Sequence, residues 1–285
     1  MQQNRITYML GFCNNDKRRE IQRKAAQFWL DKQHRVIVLD SQHTEQEFYE
    51  FMQSDVEYIH MSDFNKICRA RNFALKDALR KGYYNKLIVL VDNDGALRDM
   101  SDYDVSTDEL LDAVYTTDCD IIQPKRPFGF IKQFFENNDK ATTHLCLTNE
   151  NQFKGTVLFV RAGIDVEYDE WYDKEYEVHS LTPGEDIDFC LRAKMKGYKV
   201  RFAENLVQHE LSSSSTWAES RTLNVKPWVE RNDMQNTTIW NNKYNRKFSR
   251  KEYITLASSN DAFFRFIFIK KVDTLYIVCY YEYIL

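Results

Sequence analysis

Glycine and proline are scarce in this chain, with eight and four residues among 285. So low a content argues against a disordered majority, and 19 Phe, 17 Tyr and 5 Trp supply the apolar mass for a sizeable core. The six cysteines (13, 68, 119, 146, 190 and 279) form no CxxC and no Cys/His spacing suited to zinc. Their scatter describes reduced thiols, mostly core filler, of a cytosolic protein. No apolar run approaches the roughly 18 residues that a membrane-spanning helix needs. The apolar tail is cut by Arg265, Lys270, Lys271 and Asp273. The first eight residues are polar, without the apolar stretch of a secretory signal. Internal repeats are absent too. The expectation is a soluble, cytoplasmic or peripherally membrane-attached α/β chain with a C-terminal extension.

Charge is nearly balanced overall, at −4, but unevenly spread. Residues 91–120 hold ten acids against one base, Arg98, whereas residues 221–285 hold eleven bases and six acids. Within the latter, 239–251 carries Lys243, Arg246, Lys247, Arg250 and Lys251 and no acid. This asymmetry points to a polyanionic partner for the C-terminal part.

The stretch that organises the chain is KLIVLVDNDG at 86–95. Its five consecutive apolar residues read as a strand buried on both faces, ending at Asp92-Asn93-Asp94-Gly95. Ligand crevices of open parallel sheets lie beyond the carboxyl ends of the strands. Two carboxylates one residue apart at such an end suit a hard divalent cation carrying a phosphorylated ligand. They also suit a plain Asn-Asp-Gly turn with solvated acids. Around this strand the pattern predicts strands at 5–12, 35–39 and 57–61, and an amphipathic helix at 17–32 with Ile21, Ala25, Phe28 and Trp29 inward. A second helix, capped by Ser62, runs to about Lys81 and closes at Gly82, with a narrow stripe of Ile67, Ala70, Ala74 and Ala78. Further strands are predicted at 119–124, 155–160 and 198–203. Residues 128–151 are harder to read, with Phe130, Phe134 and Phe135 suggesting a helical turn beneath a loop. Thr182-Pro183-Gly184-Glu185 has the form of a capping box opening a helix that ends at Gly197, with Ile187, Cys190, Leu191 and Lys194 or Met195 inward.

Taken in order, these elements resemble nucleotide-sugar-dependent glycosyltransferases of the GT-A fold, in the family-2-like group that includes chitin and polysaccharide synthases. The residues that carry the resemblance are Arg71-Asn72, the DxD of 92–94, GTVLFVRAG, GEDIDFCLRAKMKGYKV and His209 after the next strand. The resemblance covers about residues 5–210. It implies a GT-A, Rossmann-like, mixed and mainly parallel sheet flanked by helices over 1–210, with 211–285 as the extension. It also implies a metal-dependent transferase using a nucleotide-sugar, UDP-linked, and an acceptor hydroxyl on a glycan or glycolipid. By the same resemblance Asp94 is a direct ligand of Mn²⁺ or Mg²⁺, and Asp92 shares the metal or binds the donor ribose. His209 is a further metal ligand that favours Mn²⁺. Asp40, Arg71 and Asn72 contact the donor, with Asp40 on a uracil. Asp186 is the catalytic base; Glu185 and Asp188 lie on the acceptor side, and Asp188 is an alternative base.

The chain lacks the QxxRW-type motif and the transmembrane helices of processive synthases, which favours adding one or a few sugars. In 211–228, Trp217 is expected on a loop over the donor diphosphate and against the acceptor. In 239–253, aromatics interleaved with bases fit nucleic acid, an anionic membrane surface or a packed basic helix. The tail 262–285 fits two strands, a core-covering helix or an interfacial anchor. Three other functions stay open at this point: transfer to a hydroxymethylated base in DNA, a non-catalytic sugar- or nucleotide-binding module, and a nucleotidyltransferase. The last lacks a Gly- and Arg-rich phosphate loop near the N-terminus.

Overall fold

A computed structural model describes residues 5–11, 16–40, 55–61, 66–125, 134–135, 137–149, 156–173, 185–212, 267–271 and 274–278. The organising strand forms as its apolar run requires. In β4 (Leu87–Val91), Leu87, Val89 and Val91 join the core on one face of the sheet, and Ile88 and Leu90 join the core on the other. Burying each such side chain contributes roughly 1.5–3 kcal/mol. The period of two, with both faces buried, makes this a central strand.

Around it lie β1 (Ile6–Gly11), β2 (Arg35–Asp40) and β3 (Val56–His60). Later in the chain come β5 (Gly95–Leu97), β6 (Ile121–Lys125), β7 (Leu147–Thr148), β8 (Val157–Arg161) and β9 (Val200–Glu210). The order across the sheet is β3-β2-β1-β4-β8-β6-β9-β5, with β7 alongside β9. Strands β1, β2, β3, β4, β6 and β9 run one way and β5, β7 and β8 the other, so the sheet is mixed and mainly parallel. Sequence order reverses at β1, which sits between β2 and β4, and it is beyond the strand ends at such a switch point that open α/β sheets bind their ligands.

Helices cover both faces. On one side are α1 (Asp16–Asp31) and α3 (Thr107–Thr116), packed through Ala25, Ala26 and Trp29 and through Leu110, Leu111 and Val114. On the other are α2 (Ile67–Arg80) and α4 (Glu185–Met195), packed through Ala70, Ala74 and Ala78 and through Phe189, Cys190 and Ala193. The small-residue stripe of α2 is as predicted apart from Ile67, which is half-buried. Helix α2 begins at Ile67; Ser62, the expected cap, lies outside the described residues.

Three further expectations change. The inward face of α4 is Asp188, Phe189, Cys190 and Ala193, whereas Leu191 and Lys194 are half-buried and Met195 is exposed. The side chain of Ile187 and the capping residues Thr182, Pro183 and Gly184 lie outside the described residues. Strand β9 does not stop at 203 but runs on to Glu210, because its pairing with β6 slips register at Pro124/Lys125 and then continues against β5. Helix α3, absent from the predicted elements, is fixed by a Ser106 hydroxyl that accepts the Glu109 N–H at 3.2 Å. Among residues 128–151, Phe135 is buried and stacks on Tyr103 at 5.3 Å between ring centroids. Two tail segments, β10 (Ile267–Lys271) and β11 (Thr274–Val278), pair antiparallel, the first of the three forms open to that region.

Candidate active site

The centre of the site is a buried guanidinium. Arg71 lies one residue from the Ala70 stripe of α2, at helical spacing with Ala74, Leu75 and Ala78, so its side chain faces the sheet and is buried. Arg69 and Arg80, on the same helix, are exposed. Arg71 Nη2 donates to Asp92 Oδ1 at 3.0 Å, beyond the end of β4. Its Nη1 donates to Glu185 Oε1 at 3.2 Å and to Asp186 Oδ1, in the first turn of α4. One planar fork therefore joins the strand-end carboxylate to two helix-start carboxylates, a geometry that suits arginine rather than lysine. Tyr168, on the stretch after β8, completes the group: its hydroxyl donates to Asp186 Oδ1 at 3.3 Å, and its ring lies 5.2 Å from the Arg71 guanidinium carbon.

The electrostatics follow from this crowding. Burial pushes the Asp186 carboxyl up to about 8; Arg71 and the Tyr168 hydroxyl work against that, and Glu185 and Asp92 add to it. Burial likewise raises Asp92 to about 7, with Arg71 opposing and Asp94 and Glu185 contributing. Burial disfavours the charge on Arg71, but Asp186, Tyr168, Asp92 and Glu185 outweigh it and hold the guanidinium protonated well above the usual range. Three carboxylates thus share this one cation.

The loop of 92–95 is held from three directions. The Asp92 N–H donates to the Thr156 carbonyl at 2.9 Å, and the Trp29 indole donates to the Gly95 carbonyl at 3.0 Å. A Cβ at Gly95 would stand 2.7 Å from the Thr156 carbonyl oxygen, so only glycine fits there. Thr156 is itself fixed by buried Gln208, whose Oε1 accepts its N–H at 2.8 Å. From the end of β9, the Leu211 N–H donates to the Asp94 carbonyl at 2.9 Å and the Ser212 hydroxyl donates to Asp94 Oδ2.

The residues expected in the site divide accordingly. Asp92, Arg71, Glu185 and Asp186 come together, with Asp94 close enough to raise Asp92. Asp40 is buried at the end of β2, opposite Gly11 of β1, at the carboxyl end of the sheet beside the switch point. Asn72 belongs elsewhere: its Nδ2 donates to the Tyr168 carbonyl at 2.9 Å and its Oδ1 accepts the Tyr168 N–H at 2.6 Å, so its amide is committed to the main chain. Asp188 is fully buried and accepts from Arg192 Nε at 2.8 Å, one turn along α4, rather than joining the Arg71 group. His209 is exposed on β9 opposite Ala96, while its neighbour Gln208 takes the buried side; strand alternation turns the two apart. It is not gathered with Asp92 and Asp94 into a ligand trio, and no three His, Cys, Asp or Glu among the described residues stand together to hold a metal. Trp217 lies outside the described residues. Two residues with a place in the site were not foreseen, Tyr168 and Ser212. No local sequence signal marks either, since each acts on a residue brought near by the sheet.

A divalent cation fits the remaining donor set. The excess of carboxylate over guanidinium, felt in the raised Asp92, leaves room for positive charge between Asp92 and Asp94. Two carboxylates without a third protein ligand match a cation that completes its shell with phosphate oxygens and water.

The model of a family described as glycosyl transferase family group 2 matches residues 100–242. Among solved structures, residues 1–349 of TarS from S. aureus align at 14% identity and a TM-score of 0.43, over 76% of this chain and 63% of that one. The chain therefore spans less than two thirds of that relative. A glucosyl-3-phosphoglycerate synthase from Mycobacterium tuberculosis, in complex with Mn²⁺, UDP and phosphoglyceric acid, aligns at 12% identity and a TM-score of 0.41, over 76% of this chain and 75% of that one. The galactosyltransferase LgtC, in complex with donor and acceptor sugar analogues, aligns at 13% identity and a TM-score of 0.35, over 70% and 73%. No curated protein matches the chain.

Proposed function

The chain belongs to the glycosyl transferase family group 2, and from that premise we propose that it moves a sugar from a nucleotide diphosphate donor, UDP-linked, to an acceptor hydroxyl of a glycan or glycolipid, one or a few sugars at a time. The observation that carries this reading is the Arg71 fork between Asp92 at the end of β4 and Asp186 at the start of α4. On this reading Asp92 serves the diphosphate and Asp186 takes the proton, and the fork holds the two side by side.

In the reaction the acceptor oxygen bonds to the anomeric carbon, and the bond from that carbon to the diphosphate oxygen breaks with its electron pair. The hydroxyl proton passes to the Asp186 carboxylate, whose raised affinity for protons suits it to that task. Asp92 and Asp94 would hold Mn²⁺ or Mg²⁺, which as a Lewis acid stabilises negative charge on the leaving diphosphate. Arg71 orients Asp186 and favours the ionised form of Asp92 against the effect of burial. Asp40, buried at the end of β2, is assigned to the nucleoside base. The basic segment 239–253 is assigned to an anionic surface, the membrane in the case of a glycolipid acceptor. No helix among the described residues is long and apolar enough to cross a membrane.

The test is nucleotide release by the purified protein across UDP-, GDP- and TDP-sugars, with Mn²⁺, with Mg²⁺ and with chelator, beside Asp94→Asn. Slow, cation-dependent hydrolysis of one donor, lost in the variant, is the expected result. No turnover together with no cation-dependent nucleotide binding would reduce 92–94 to a turn and leave a binding module.

A further inference from the structure

Resting on the assignment of Asp186 as the base, we infer that Tyr168 is a positioning residue for that carboxylate, and that Asn72 acts through Tyr168 rather than on the donor. Three contacts fix Tyr168 independently of Asp186. Its main chain is clamped in both directions by the Asn72 amide, at 2.6 and 2.9 Å. Its ring lies flat on Phe189 of α4, with centroids 4.1 Å apart and planes 3° from parallel. The Arg71 guanidinium stands near the same ring. The hydroxyl that reaches Asp186 is thus held by a rigid frame made from α2 and α4, against both of which the stretch after β8 packs.

The chemistry of the pair is directional. A buried phenol whose own proton is held tightly, by burial and by the neighbouring carboxylate, serves only as a donor. Donation to Asp186 Oδ1 occupies one oxygen together with Arg71 Nη1. Oδ2 is left as the oxygen that takes the acceptor proton. Losing the hydroxyl frees the carboxylate to turn about its Cβ–Cγ bond, so the wrong oxygen faces the acceptor part of the time. The groups facing Asp186 besides Tyr168 are Arg71 from α2, Asp92 beyond β4, and Glu185 and Cys190 on α4 itself. Of these, Arg71 is the other donor to it.

Tyr168→Phe keeps the ring, the stacking and the main-chain clamp and removes only the oxygen. Measured on the full chain with the donor and cation identified by the nucleotide-release panel, it should lower kcat roughly 10- to 100-fold, the range for a hydrogen bond to a charged group. KM for the donor and UDP affinity by calorimetry should stay within about twofold, and the thermal midpoint should hold. In an Asp186→Asn background the same change should have no further effect on kcat, because the two act as one unit. An unchanged kcat in Tyr168→Phe, a loss that appears in KM or UDP affinity instead, or full additivity with Asp186→Asn would each overturn the positioning role alone. Absence of nucleotide release and of nucleotide binding in the wild-type protein would overturn this role along with the transferase reading on which it rests.

Discussion

A carboxylate that works as a base must first be ionised, and Asp186 resists ionisation. Burial, Glu185 and Asp92 raise it to about 8 against the pull of Arg71 and Tyr168. The expected consequence is a kcat/KM that rises about tenfold per pH unit below about pH 8 and levels off above it. A flat profile between pH 6 and 9 would remove Asp186 as the base. Arg71 stays cationic throughout this range, so the limb reports carboxylates, Asp186 near pH 8 and Asp92 steepening it below about pH 7. At this scale the sequence held one unused clue. Arg71 shares the helical face of Ala74 and Ala78, and a charged residue on an apolar stripe is a group with buried partners.

At the scale of elements, the helix that carries Arg71 begins with a borrowed cap. Lys66 at the N-cap of α2 does not cap the helix with its side chain, and the carboxylate of buried Asp173 accepts the Cys68 N–H at 2.8 Å and the Arg69 N–H at 3.0 Å. A carboxylate there satisfies two of the orphan donors of the first turn and lies favourably in the helix dipole. Helix α3 instead uses its own Ser106. Asp173→Ala should cost about 2 kcal/mol, because two main-chain donors, one buried and one half-buried, lose their acceptor, and Ser106→Ala about 1 kcal/mol. Both are read from denaturant midpoints at unchanged m. A cost for Asp173→Ala no larger than that for Ser106→Ala would show that the shared cap does not matter to α2. The Ser106-x-x-Glu109 signature followed by Leu110, Leu111 and Val114 was legible in the sequence; reading 91–120 by its charge alone obscures it.

For the whole molecule, acid stability turns on a histidine in the core. His34 is fully buried, with Nδ1 at 2.8 Å from the Thr7 hydroxyl, and burial, aided by the Arg5 charge, lowers it to about 3 from an ordinary 6.5. The unfolded chain takes up a proton near pH 6.5 that the folded chain refuses until about pH 3. This contribution is therefore complete above pH 6.5 and is lost as pH falls through that window, by at most about 1.4 kcal/mol per unit. Asp92 and Asp186, raised in the folded state from an ordinary 3.8, act in the opposite sense: their contribution is complete at low pH and is lost as pH rises from 3.8 to about 7 and about 8. Comparing wild type with His34→Gln cancels these carboxylates. Urea melts at pH 7, 5 and 4 should show the wild type losing more stability than the variant; equal losses would mean that His34 is protonated in the folded protein.

Local pattern by itself determined the buried central strand, the amphipathic helices, the carboxylate pair at 92–94 and the acidic start of the helix at 185. Each depends on residues near in sequence, through strand alternation, helical spacing and turn chemistry. It also carried the family resemblance, since the motifs are contiguous. Only the tertiary structure decided which of those residues meet. Arg71 reaches Asp92, Glu185 and Asp186 across separations of 21, 114 and 115 residues. Asn72 turns to Tyr168, Asp188 to Arg192, and Ser212 rather than His209 bonds Asp94. The physical reason is the sheet. Inserting β8 antiparallel between β4 and β6 brings the stretch after it, and then α4, against α2. No periodicity within a single segment encodes that juxtaposition.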